Sequence, residues 1–170
     1  MGDNPQSSTA DRLRYRQAMS VFQTGDYEGA IREFRQYLRV TNSDDLAAEA
    51  YSNLGESYRQ IGQIDRAINA YQTIVDDYSS DGQVPSALTS LGLLYYEEGE
   101  YETSHTYFDQ LLRTASRFAQ EAYIGMGNAS LAQGNLEIAR QEYEGGLRVN
   151  AGNEAASVGL GKVALAENNF

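Results

Sequence analysis

At 170 residues and 41% hydrophobic content the chain can bury a core of its own, yet no apolar run approaches the ~20 residues that cross a bilayer. Its formal charge of −11, from 24 acidic and 13 basic residues, repels phosphate backbones and anionic lipid surfaces, so neither nucleic acid nor membrane insertion is expected. The absence of cysteine excludes disulfides, thiol nucleophiles and thiolate metal sites.

The chain opens on MGDNPQSSTAD, which has neither a basic n-region nor an apolar h-region. A cytoplasmic protein is the default expectation, or a periplasmic one if a leader has been removed. Residues 1–9 read as a flexible polar tail. Beyond them the stretch QAMSVFQTGDYEGA at 17–30 recurs as LGESYRQIGQIDRA at 54–67, LGLLYYEEGEYETS at 91–104 and MGNASLAQGNLEIA at 126–139, and begins again as LGKVALAENNF at 160–170. Ala18, Gly55, Gly92, Gly127 and Gly161 fall in register, as do Gly25, Gly62, Gly99, Gly134 and Asn168; the latter column is spaced by 37, 37, 35 and 34 residues. The next columns are Tyr27, Ile64, Tyr101, Leu136 and Phe170, then Ala30, Ala67, Ser104 and Ala139.

Each column has a physical reason. A small residue in one helix and another early in the next let two antiparallel helices approach closely, and the glycine between them supplies the positive φ that ends the first. Tyr51, Leu54 and Tyr58, then Ala67, Tyr71 and Ile74, keep the three-and-four spacing of a buried helix face. The unit is therefore a helical hairpin. Phe34, Tyr71, Phe108 and Tyr143 share one position on the second helices, where an aromatic ring fills the gap between successive hairpins. A hairpin cannot bury its face alone, so the units are expected to stack into an all-α solenoid.

At these residues the sequence resembles the tetratricopeptide repeat (TPR) family, whose pattern is present as Tyr51, Leu54, Gly55, Tyr58, Ala67 and Tyr71. The resemblance covers residues 10–170 and implies a right-handed superhelix of repeats at 10–44, 45–81, 82–116 and 117–150, with a partial repeat or capping helix at 151–170. Nine helices are predicted: 10–24, 27–40, 45–61, 64–78, 83–98, 101–115, 118–133, 136–148 and 153–168. Thr41–Asp45 and Ser79–Gln83 are the expected bends, and Pro85 suits the first turn of its helix. The lengthened repeats are also similar to bacterial envelope TPR proteins such as the Tol-Pal accessory protein.

The resemblance implies a concave face lined by first helices. Its positions here are Tyr15, Met19 and Phe22, then Ser52, Glu56 and Arg59, then Leu93 and Tyr96, then Ile124, Asn128 and Leu131, then Val158, Lys162 and Leu165. A largely apolar groove with a polar centre fits an extended peptide or an amphipathic helix of a partner protein. Affinity would come from apolar burial and register from Glu56, Arg59, Asn128 and Lys162. The competing reading packs Tyr15, Met19 and Phe22 under the tail or within their own hairpin. Tyr15 and Ser52 stand where chaperone-binding relatives carry clamp lysines, which disfavours capture of a free chaperone C-terminus, although Asn128 matches one clamp position.

The two ends differ. Arg14 and Gln17 are expected to make a polar cap on the first hairpin, whereas the last helix offers Val158, Leu160, Val163 and Leu165, either as an exposed contact surface or as the joint to further repeats if the chain is a fragment of a longer array. The alternative function is therefore self-association through Val158, Leu165 and Phe170, giving a homo-oligomer. No catalytic constellation competes with these readings, so no enzyme, cofactor or metal is expected. The glutamates of EEGEYE are a solvated turn. His105 has no convergent partners in the sequence, and the loop DYSSDG imitates half a calcium loop but carries Leu88 where the bidentate Glu belongs.

Overall fold

The computed structural model describes residues 5–41 and 46–168. The described residues form α1 (Pro5–Gln23), α2 (Tyr27–Val40), α3 (Ala47–Gln60), α4 (Ile64–Asp77), α5 (Val84–Glu97), α6 (Tyr101–Thr114), α7 (Ala119–Ala132), α8 (Leu136–Val149) and α9 (Glu154–Glu167), with a 3-10 turn at Ser116–Phe118. Eight of these nine helices begin and end within two residues of the pattern-derived ranges, α1 being the exception, and α3 starts two residues late with Leu46 at its N-cap. The expected tail is corrected at its inner edge. Helix α1 begins at Pro5, where proline's fixed φ and missing N–H suit a first turn. Four of the five expected bend residues in Thr41–Asp45 lie outside the described residues.

Gly25, Gly62, Gly99 and Gly134 end their helices at φ of +80, +73, +81 and +79°, the left-handed conformation that an L side chain resists. Asn168 shares their register but not their backbone: its φ is −81° and it caps α9 in right-handed geometry. Among the described residues, α2 and α9 start on side-chain caps. Asp26 Oδ1 accepts from the Gly29 N–H at 2.8 Å, and Asn153 Oδ1 accepts from the Ala156 N–H at 2.8 Å.

The chain divides into two compact units, residues 1–87 and 88–170, with the boundary inside α5. In the first, Phe34 is fully buried and meets Tyr15 and Phe22 at centroid distances of 6.1 and 6.3 Å, while Tyr37 meets Tyr15 edge-on at 5.7 Å. Gly55 packs under Tyr71 so closely that a Cβ there would stand 2.9 Å from the ring.

In the second unit Leu88, Leu91 and Leu94 are fully buried, each contributing about 1.5–3 kcal/mol of transfer free energy. Phe108 lies against Gly92 of its own hairpin and Gly125 of the next, and Tyr143 likewise against Gly127 and Gly159. The aromatic column does fill the gap between hairpins here, and glycine is what leaves it room. Gly145 serves the same end in reverse, since a Cβ on it would sit 2.6 Å from the Tyr123 ring. The small Ser104 donates to the Gly92 carbonyl at 2.7 Å, tying α6 to α5 where alanine stands in the other repeats.

Candidate functional site

In the first unit the expected groove positions separate into two kinds. Tyr15 is 7% exposed, its ring enclosed by Phe34 and Tyr37 and its hydroxyl accepting from Asn53 Nδ2 at 3.3 Å. Burial and the neighbouring Glu49 raise its phenol far above the ordinary tyrosine range. Tyr15 is therefore a core residue of the first hairpin and has almost no surface to offer a guest. Met19 and Phe22 are half-buried, and Phe22 also meets Tyr27 at 5.8 Å.

Glu56 and Arg59 lie one turn apart on α3 and close a two-pronged ion pair at 2.9 and 2.7 Å, with Gln60 donating to the same carboxylate at 2.6 Å. The Arg59 guanidinium holds the Glu56 carboxyl below its usual range against the opposing effect of partial burial. The carboxylate also receives the Tyr71 hydroxyl at 3.5 Å. In the second unit the Tyr143 hydroxyl donates to Asn128 Oδ1 at 2.8 Å.

These two bonds occupy one register. A second-helix aromatic reaches the first-helix residue fifteen positions before it, the separation of both Tyr71–Glu56 and Tyr143–Asn128. In the other repeats the same register pairs Phe34 with Met19 and Phe108 with Leu93. Where the ring carries a hydroxyl the groove position carries an acceptor, and where it does not the position is apolar. Repeat counting alone aligns these columns but does not disclose the bond between them.

Leu93 is 50% exposed, Tyr96 is half-buried and tilted against Tyr101 at 5.3 Å, and Leu131 is half-buried against the core built on Ala139, Tyr143, Ala156 and Val163. On α9, Lys162 is exposed, and Val158 and Leu165 are 58% and 66% exposed. Gly161 shares the register of Gly55, Gly92 and Gly127, but a Cβ built on it meets nothing within 4 Å. Among the described residues no second-helix ring covers it. Phe170 lies outside the described residues.

Elsewhere the structure adds one cluster. His105 is half-buried, and its Nε2 lies 2.6 Å from Glu142 Oε1, while Ser130 donates to Glu142 Oε2 at 2.7 Å. One carboxylate thus joins α6, α7 and α8. Histidine and serine both face the carboxylate and not each other, so the geometry lacks the relay a serine nucleophile needs. Glu97, Glu98, Glu100 and Glu102 are exposed, as a solvated turn should be, and the Asp81 carboxylate accepts from the Gln83 N–H at 2.7 Å inside its own loop. Among the described residues no group of acidic or imidazole side chains converges on a metal position, and no helix is long and apolar enough to cross a membrane.

The tetratricopeptide repeat family model matches four overlapping windows, residues 15–82, 53–122, 89–154 and 124–170. The chain belongs to the tetratricopeptide repeat family. Its fold is the all-α solenoid of TPR hairpins. No curated protein sequence matches it, but many solved structures do. A TPR protein from Parabacteroides merdae superposes with a TM-score of 0.84 at 22% identity over 96% of this chain and 61% of its own, so this TPR chain spans about three fifths of that relative. MamA from Desulfovibrio magneticus gives 0.76 at 16% identity, covering 93% of this chain and 85% of its own. The second TPR domain of human RPAP3, in complex with the HSP70 peptide SGPTIEEVD, gives 0.61 at 23% identity, covering 69% and 94%.

Proposed function

We propose that this TPR protein is a non-enzymatic scaffold whose first-helix surface binds an extended peptide or an amphipathic helix of a partner protein. The family's role as a protein–protein interaction scaffold supports the general reading. The observation that carries the specific one is the register just described: Glu56 and Asn128 are held by tyrosine hydroxyls from beneath, while Leu93, in the same column, is left 50% exposed. Oriented polar groups beside exposed apolar ones are what a peptide-reading surface requires.

Affinity capture with the tagged chain, followed by mass spectrometry, tests it. Met19→Ser with Leu93→Ser should lose the captured partner while the helical circular dichroism stays unchanged, and capture that survives both changes would move the binding surface elsewhere. Tyr15 is left intact, because its loss would unfold the first hairpin and mimic a binding defect.

The second reading is self-association through α9. The open Gly161 register, flanked by exposed Val158 and Leu165, favours it.

A further inference from the structure

The charge of this chain is unevenly spread. Residues 1–40 carry six arginines and five acids, a net of +1, whereas residues 41–170 carry seven basic and nineteen acidic side chains, a net of −12, and the two sum to the −11 of the whole. Half of the first hairpin's arginines stand on one helix face, because Arg32, Arg35 and Arg39 in α2 follow three-and-four spacing. All three are exposed, and among the described residues none has a carboxylate partner. With Gln36 they bound a recess of about 400 Å³.

Through Arg35 this strip opens into a cleft of about 330 Å³ whose opposite wall, on α4, holds Arg66 and Thr73. Its floor is apolar, made by Tyr51, Leu54 and Tyr58 of α3. Arg66 lies 5.7 Å from the Tyr58 ring centroid, and its Nη1 donates to Gln63 Oε1 at 2.9 Å. The cleft is walled by second helices and shares none of the first-helix positions assigned to the partner surface.

We infer that the α2–α4 cleft is a second binding site, for an acidic peptide segment of another protein that carries an aromatic or aliphatic side chain among its carboxylates. Arg35 and Arg66 both line the cleft, and each guanidinium can take a carboxylate in two-pronged geometry. The floor accepts the apolar side chain between them. Arg32 and Arg39 extend the positive strip along α2, which gives the segment a direction. The Debye length is about 10 Å at 0.1 M salt, so these local arginines outweigh the distant net charge once the segment is seated. Before that, the net of −12 over residues 41–170 turns long polyanions away. That is why a short peptide is favoured over a nucleic acid, whose charge runs past a patch of this size.

The test is fluorescence anisotropy with the full chain and a fluorescein-labelled peptide, Glu-Asp-Glu-Phe-Glu-Asp-Glu. Saturable binding is expected, weakening as sodium chloride is raised. Arg35→Glu with Arg66→Glu should weaken it by on the order of tenfold or more. Arg35→Gln alone, a milder change at an exposed site, should give a smaller loss in the same direction. Replacing the peptide's Phe by Gly should weaken binding too, and Leu93→Ser should leave it unchanged, which separates this site from the first-helix surface. The inference is overturned if the charge-reversed chain binds as well as the parent, if the Gln/Asn version of the peptide binds equally, or if a labelled oligothymidylate binds more tightly. It is also overturned if a salt-sensitive dimer forms and excludes the peptide, which would make a second copy the occupant.

Discussion

The Tyr143 hydroxyl donates to Asn128 Oδ1 at 2.8 Å from a ring seated between Gly127 and Gly159, so one side chain both fills the joint between two hairpins and fixes a polar group on the first-helix surface. Tyr143→Phe keeps the ring and removes only the bond. It should cost about 1 kcal/mol in urea unfolding and, on the proposed function, weaken the partner by releasing Asn128.

The glycines of one column should respond with opposite sign. Gly127→Ala drives a Cβ to 2.7 Å from Tyr143 and should destabilise by about 1–3 kcal/mol through overpacking. Gly161→Ala meets no neighbour and lies within α9, where alanine's helix propensity should stabilise by about 0.5–1 kcal/mol. Thermal or urea denaturation of the two variants decides it.

Alkaline titration reports on the buried phenols. Burial raises Tyr143 from 10.0 to about 12, and Tyr15 is raised further. A phenol that holds its proton more tightly when folded contributes stability that is complete below the unfolded value near pH 10 and is lost as pH climbs to the folded value. Between pH 10 and 12 the stability should fall by about 1.4 kcal/mol per pH unit for each such tyrosine. The decline should be shallower in Tyr143→Phe, as followed by circular dichroism at fixed urea.

Glu142 joins three helices through His105 and Ser130. Glu142→Ala leaves the Ser130 hydroxyl, 2% exposed at the residue level, without its acceptor and should cost about 1–3 kcal/mol, whereas Glu142→Gln keeps an acceptor oxygen and should cost less. Equal losses would mean that charge, rather than the hydrogen bond to Ser130, governs the site.

Light scattering over a concentration series examines α9. If its exposed Val158 and Leu165 join copies, mass rises with concentration and Leu165→Glu returns it to that of one chain. Constant mass at every concentration discards that reading.

Repeat columns made most of the fold legible. Gly25, Gly62, Gly99 and Gly134 announced every positive-φ turn among the described residues because only glycine is comfortable there, and the aromatic column announced the joints. Gly125, Gly145 and Gly159 escaped because they fall outside the repeat consensus; their role shows only when the Phe108, Tyr123 and Tyr143 rings are placed. Tyr15 misled for a related reason. Its register is half-buried in the next three repeats, at Ser52, Thr89 and Ile124, but here the ring folds inward against Phe34 and Tyr37. His105 and Glu142 are 37 residues apart in sequence, and no local spacing joins them. The arginines of α2 were visible as letters, but that Arg35 shares a cleft with Arg66 and Tyr58 needed α3 and α4 in place.

The fifteen-residue register between second-helix ring and first-helix position makes each pair a two-letter word, Tyr with Glu or Asn, Phe with Met or Leu. On the proposed function, recoding what a repeat recognises means exchanging both letters together. Glu56→Leu would remove the acceptor of the Tyr71–Glu56 bond, and Leu93→Asn would find Phe108 with no hydroxyl to donate. Transplanted as complete words, these pairs allow the surface to be rewritten repeat by repeat while the joints keep their shape.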